Sequence, residues 1–157
     1  MAQGVAADQP PRPGTLRIFL DANVLFSAAR ASGPMRQMLE ALKIQGHVLV
    51  AEAYVRTEAQ RNLAAKAGEQ ALQDLEVILA TIEVTGARQV ISASQAQAMH
   101  WLLDEDRPVL LAAIALRCDA LVTGDKTHFG IGYGQSFAGV MMYSPAQLAL
   151  ALLAKAG

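Results

Sequence analysis

Two acids in this sequence follow short runs of strand-forming residues: Asp21 comes directly after Leu16 to Leu20, and Asp125 follows Ala120 to Thr123 through a single Gly124. Glu58 lies in the helix-forming stretch after a second such run, and Asp106 stands just ahead of Arg107 and Pro108. If these carboxylates meet, two unit charges about 4 Å apart repel by roughly 4 kcal/mol at the effective dielectric of a protein surface. Retained protons or a bound divalent cation must relieve that repulsion. A donor set of oxygens, with no cysteine or histidine pair, suits Mg²⁺ or Mn²⁺ better than Zn²⁺. Such an ion holds a phosphate oxygen, lowers the pKa of an attacking water and steadies the leaving oxygen. The chemistry implied is phosphodiester hydrolysis. Taken singly, each acid has a plainer use: Asp21, Asp106 and Asp125 can cap the helices that follow them, and Glu58 can be a solvated helix-face residue.

The elements that must position these acids alternate along the chain. A first strand over Leu16 to Leu20 leads into a helix over Asn23 to Arg30, and Pro34 opens a second helix with Met35, Met38, Leu39 and Leu42 at helical spacing up to Gly46. His47 to Ala51 reads as a strand, Glu52 to Lys66 as a helix ended by Gly68, and Leu72 to Leu79 as another helix. Thr81 to Thr85 is a third strand, Ser94 to Leu103 a helix, and Pro108 to Leu116 a further helix after the polar break at Asp104 to Arg107. A fourth strand at Ala120 to Thr123, a glycine-bearing loop at Gly130, Gly132 and Gly134, a last strand at Val140 to Tyr143 and a helix over Pro145 to Ala154 complete the pattern.

Strands separated by helices of this length imply parallel pairing, hence an α/β fold: a three-layer α/β/α sandwich around a central, mainly parallel sheet of about four to five strands. In such folds the working crevice lies beyond the carboxyl ends of the strands, where Asp21 and Asp125 fall. Residues 1–15 carry Pro10, Pro11 and Pro13 and read as a flexible N-terminal tail, leaving 16–157 as one domain.

Composition sets bounds without naming a function. The chain is 53% hydrophobic and 17% charged, with apolar runs too short for a membrane span, which needs about 20 residues. Nothing near Met1 resembles a secretory signal, so the cytoplasm is the expected location. A net charge of -1 gives no global positive field, so a polyanion would be held by local basic groups or bound cations. Cys118, the single cysteine, sits among apolar residues and is expected to be a buried, inert thiol.

Four segments together resemble the ordered motifs of PIN domains: Ile18-Phe19-Leu20-Asp21-Ala22-Asn23-Val24-Leu25, Glu58-Ala59-Gln60-Arg61-Asn62-Leu63, Asp106-Arg107-Pro108-Val109-Leu110, and Leu121-Val122-Thr123-Gly124-Asp125-Lys126-Thr127-His128-Phe129. The resemblance spans about residues 16–145. It implies an α/β/α sandwich whose acids gather around Mg²⁺ or Mn²⁺ to cleave RNA. Many bacterial members are toxins held inactive by a small antitoxin protein. Carried over by position, it makes Asp21, Asp106 and Asp125 metal-site acids, with Glu58 completing the cluster and Thr123 and Asn23 as polar neighbours.

One departure is Ala22, which stands where many members carry Thr or Ser. Glu52 competes with Glu58 for the second acid, and Asp104 and Glu105 compete with Asp106; the surroundings of Glu58 and the Pro108 helix start favour the first-named in each case. Asp119 precedes the fourth strand and should lie at the far end of the sheet. Arg107 and Lys126, beside two of the acids, are the basic residues placed to meet RNA phosphates. His128 reads as a structural partner for Phe129 with a lesser option of proton transfer, and Trp101 as a packing residue. The apolar surplus fits a homodimer or a face covered by an antitoxin helix as well as a well-packed monomer. An RNA-processing nuclease of the same family without an antitoxin, or a non-catalytic module that binds RNA or protein, remains the alternative, whereas Asn23 argues against a phosphatase that pairs two aspartates.

Overall fold

A computed structural model describes residues 14–86 and 92–153. Of the tail expected over 1–15, only Gly14 and Thr15 fall within them; Ala154 of the expected last helix falls outside. The strands are β1 (Arg17–Leu20), β2 (Val48–Glu52), β3 (Glu83–Thr85), β4 (Ala120–Val122), β5 (Ser136–Phe137) and β6 (Val140–Tyr143). The helices are α1 (Ala22–Arg30), α2 (Pro34–Ile44), α3 (Ala53–Lys66), α4 (Glu69–Leu79), α5 (Ala93–Gln97), α6 (Arg107–Ala115), α7 (Lys126–Phe129) and α8 (Pro145–Leu152).

The sheet runs β3-β2-β1-β4-β6-β5, parallel throughout except for the β5–β6 pair. Its centre explains the composition of β1: Ile18, Phe19 and Leu20 are fully buried, as strands covered by helices on both faces must be. From β1 the chain winds outward through β2 to β3, then crosses back to place β4 on the other side of β1. The strand order therefore reverses between β1 and β4. That reversal opens a crevice at their carboxyl ends, where α/β sheets bind ligands.

Local chemistry sets the helix ends. Gly33 and Pro34 begin α2, and Gly46, at φ +96°, lets the chain turn from α2 into β2. Ser144 and Gln147 form a reciprocal capping box at α8. α1 packs against α2, α3 and α4, while α6 packs on β4 and α8 on β6. Cys118 is buried as expected, and burial pushes its thiol up to about 12.

Two features differ from the sequence reading. The helix expected over Ser94 to Leu103 stops at Gln97 and continues as turns, because side chains take the carbonyls a helix would use. Trp101 Nε1 donates to Ala98 O, and the Arg107 guanidinium donates to the carbonyls of Met99, His100 and Leu102. Trp101 then packs on Phe137 with ring centroids 4.8 Å apart, over Gly132, where an added Cβ would lie 2.7 Å from the indole. The second feature is β5, a two-residue strand inside the stretch read as loop, joined to β6 through Ala138 and Gly139. It brings the sheet to six strands.

Candidate metal-dependent active site

Register brings the first acid to its neighbours. Leu20 pairs with Val122, so the next residue on each strand, Asp21 and Thr123, stand side by side beyond the paired region, and Asp21 N donates to Val122 O at 3.1 Å. Thr123 Oγ1 donates to Asp21 Oδ2 at 2.7 Å and accepts from Asp125 N at 3.1 Å. Asn23 Nδ2 donates to the same Asp21 oxygen at 3.1 Å and contacts Thr123 Oγ1 at 3.3 Å, while Asn23 Oδ1 accepts from Gly124 N at 2.7 Å. Asp21 Oδ1 accepts from Ala22 N at 2.7 Å and so also caps α1. Capping and site placement are thus one arrangement.

Asp125 repeats that dual use. It caps the single-turn helix α7 by accepting from His128 N at 3.2 Å, and its Oδ2 lies 2.8 Å from His128 Nδ1. The same nitrogen is 3.6 Å from Asp106 Oδ1. Asp106 stands at the cap position of α6 without making a side-chain cap bond. Its Oδ2 is instead buried with no hydrogen-bond partner among the described residues. Leaving a carboxylate oxygen desolvated and unpaired costs on the order of 1–3 kcal/mol or more, so this oxygen is prepared for something other than the protein.

Asp21, Glu58, Asp106 and Asp125 all line one pocket of about 260 Å³, together with Glu105, Asn23, Asn62, Tyr54, Phe26 and Lys66. At its edge Asp106 and Asp125, together with His128 outside the lining, place one ligand atom each within 4.8 Å of one another. Asp21 and Glu58 line the same pocket without joining that trio. The sequence reading had favoured an oxygen-only set; the geometry adds one imidazole nitrogen. Its signal was local, a histidine three residues after Asp125 on a helical turn.

The electrostatics of the pocket call for positive charge. Burial raises the Asp21 carboxyl, opposed by donors from Thr123, Ala22 and Asn23, and the Asp125 charge adds to the rise. Burial and then the Asp21 charge raise Glu58, and burial raises Asp106 against the pull of His128. His128 is raised in turn, chiefly by its hydrogen bond to Asp125. A divalent cation would favour the charged form of each carboxylate and so offset the rise that burial causes. Asp125 Oδ2 and His128 Nδ1 are hydrogen-bonded at 2.8 Å and Asp106 Oδ1 lies 3.6 Å from the same nitrogen, so an ion held by all three would take the place of that proton.

Of the competing residues, Glu105 lines the pocket beside Asp106, and the others fall elsewhere. Glu52 caps α3 by accepting from Tyr54 N at 2.8 Å, and Asp104 is exposed and paired with Arg107. Asp119 lies at the amino end of β4, accepting from Arg17 N at 2.8 Å. Of the two basic residues considered for phosphate contact, Arg107 is tied to Asp104 and three carbonyls, and Lys126 is exposed on α7; neither lines the pocket. Lys66, at the last turn of α3, does.

A mainly parallel sheet with an acid-lined crevice at its order reversal defines an α/β fold with a candidate active site at the carboxyl ends of β1 and β4. The PIN domain matches residues 17–127, and the chain belongs to that family. Among solved structures, the VapBC2 complex of Rickettsia felis, crystallised with a DNA fragment from its promoter, contains a chain 18% identical, with TM-score 0.58, covering 82% of this chain and 98% of that one. The Mycobacterium tuberculosis toxin VapC20, described as cleaving the Sarcin-Ricin loop, is 17% identical with TM-score 0.49, covering 76% of this chain and 98% of that one. No curated protein matches the chain significantly. Among the described residues no helix is long and apolar enough to cross a membrane.

Proposed function

We propose that this chain is a metal-dependent endoribonuclease and the toxin component of a toxin-antitoxin pair, acting on RNA in the cytoplasm. The observation that carries the catalytic part is Asp106, whose Oδ1 lies 3.6 Å from His128 Nδ1 beside Asp125 and whose buried Oδ2 has no partner among the described residues, at a pocket where Asp21 and Glu58 are also raised. Asp106 and Asp125, with His128 beside them and Asp21 and Glu58 across the pocket, are the groups to hold Mg²⁺ or Mn²⁺. The mixed oxygen and nitrogen set favours Mn²⁺. A bound ion supplies the grip on a phosphate oxygen and the activated water.

The chain's own residues do the positioning. Thr123 and Asn23 fix Asp21 in one orientation, and the Thr123 hydroxyl joins the ends of β1 and β4 by serving Asp21 and Asp125 N at once. Asp106 keeps lone pairs free because no protein donor occupies its inner oxygen. Membership in the PIN family supports nuclease chemistry, and the VapBC2 neighbour, a toxin-antitoxin complex on its promoter, supports a small antitoxin partner.

The test is cleavage of labelled RNA by the purified chain in Mn²⁺, Mg²⁺ and EDTA, alongside calorimetric titration with Mn²⁺. Cutting abolished by chelation, and Mn²⁺ binding lost in Asp106→Asn, is the expected result. Chelator-resistant cutting would dismiss the metal mechanism. RNA binding without any cutting would favour a non-catalytic module.

A further inference from the structure

Four residues of α3 that line the acidic pocket are spaced at equal intervals: Tyr54, Glu58, Asn62 and Lys66. Residues four apart on a helix lie on one face, so these form a single stripe about 18 Å long at 1.5 Å rise per residue. Its composition changes in order, from an aromatic ring through an acid and an amide to a cation. Tyr54 is 51% exposed at the rim, although large aromatics are ordinarily covered. Lys66 is the one cation among the pocket's described lining residues, which otherwise include five acids, Asp21, Glu58, Glu105, Asp106 and Asp125. Glu52 fixes where the stripe begins, since its bond to Tyr54 N starts α3 at the carboxyl end of β2.

We infer that this stripe is the track for an unpaired RNA strand, with a base stacked on Tyr54, the strand passing Asn62, and a phosphate on Lys66. The inference rests on the nuclease reading above and assigns the residues of α3 that receive the strand beside the cut. The charge order carries it. An RNA strand cannot lie wholly among carboxylates, so a phosphate flanking the one held at the metal site needs its own counter-charge, and Lys66 lies about 12 Å along the helix axis from Glu58. The rim ring selects an unpaired base, because a base within a duplex is stacked on its neighbours and cannot turn its face to Tyr54. Asn62, between them, offers both a donor and an acceptor to a base edge or sugar hydroxyl. Exposure on both end residues means that truncating either leaves the fold intact.

The experiment measures anisotropy of a short, labelled, unstructured oligoribonucleotide in Mn²⁺, with every variant made in an Asp125→Asn background to prevent cutting, and cleavage by the unaltered chain alongside. Tyr54→Ala should weaken binding about 5- to 100-fold, with Tyr54→Phe close to the parent. Lys66→Ala should reduce the slope of log affinity against log salt by about 0.7, the loss of one phosphate contact on a single strand. A perfect duplex should compete at least about tenfold less well than the single strand. Parent-like affinity and slope in both alanine variants, or equal competition by duplex, while the unaltered chain still cuts RNA, overturns the track and leaves the nuclease standing. A chain that neither cuts nor binds RNA in Mn²⁺ removes the nuclease reading, and the track with it.

Discussion

The two ends of the sheet carry acids in opposite circumstances. At the amino end, Asp119 accepts from Arg17 N at 2.8 Å, and the Arg17 guanidinium meets Glu83 through two bonds of 3.0 and 3.1 Å and Leu116 O through a third of 3.1 Å. His47 closes the same end, its Nδ1 accepting from Leu16 N at 3.0 Å. The charges of Arg17, Asp119 and Glu83 there are answered by the chain itself. At the carboxyl end, five acids line a pocket with one lysine, and one buried oxygen has no partner. An end whose electrostatics are complete can only contribute to stability. The incomplete end gives up stability, as the metal site proposed above requires.

The largest consequence falls on the incomplete end. Asp106→Asn removes a raised, buried carboxylate that makes no cap bond, so cleavage should fall by about 100-fold or more, on the scale of losing one preorganised charge-stabilising group. The same variant, measured without metal, should melt about 2–4 °C higher, which for a domain of this size corresponds to roughly 1 kcal/mol. Cleavage rate and thermal melting of one preparation check both. A lower metal-free Tm would show that the carboxylate stabilises the fold, and the contrast between the ends would disappear.

Arg17→Ala probes the complete end and should do the reverse. It removes a forked ion pair, a bond to Leu116 O and stem packing, but the pair is a third or more exposed on both sides and largely solvent-screened. A loss of about 1–2 kcal/mol is expected by urea melting, with cleavage per folded molecule unchanged. A drop in specific activity would mean the two ends are coupled through β1.

How much of this was legible beforehand depended on whether the signal was local. Asp21 follows a strand directly and Asp125 follows one after Thr123 and Gly124, so strand patterning alone sends them to the working edge, and the parallel order of the core strands follows from the helices between them. His128 was in reach, since a helical turn places it back on Asp125, but the turn has only the residues Lys126–Phe129 and leaves no periodic pattern to read. The equal spacing from Tyr54 to Lys66 was visible, whereas the side of α3 that faces the crevice depends on packing against α1 and α4. The partners of Arg107 were not legible, because the turns after α5 bring the carbonyls of Met99, His100 and Leu102 to its guanidinium without a periodic pattern. β5 was hidden because a two-residue strand has no alternation to detect.

Acidification should separate the ends further. Burial lowers the pKa of His47, whose Nδ1 must stay unprotonated to accept from Leu16 N. A depressed folded pKa means that this stability is fully present above the unfolded value near 6.5 and is lost as pH falls through the folded value. Asp21, Glu58 and Asp106 have raised folded values, so their contribution is present at low pH and is lost as pH rises above the usual carboxylate range. Melting between pH 7 and 5 should fall more steeply for the unaltered chain than for His47→Asn, whose amide oxygen retains an acceptor near the Nδ1 position. Parallel curves would mean that the imidazole does not titrate there.

The smallest effect is expected at the β5–β6 turn, remote from both sets of charges. Ala138 is held at φ 51° and Gly139 at φ 88°, the paired positive angles of a tight two-residue hairpin, and an alanine there is strained by the approach of its Cβ to the following carbonyl. Ala138→Gly relieves that contact but releases more freedom in the unfolded chain, so the two effects partly offset, whereas Ala138→Asn tolerates the angle with less unfolded-state entropy. The asparagine variant should therefore gain about 0.5–1 kcal/mol in urea melting and the glycine variant less, with neither changing cleavage. Equal gains would assign the whole effect to relief of strain. A change in cleavage with either variant would show that this hairpin, through Phe137 and its stack on Trp101, helps to hold the segment leading to Asp106.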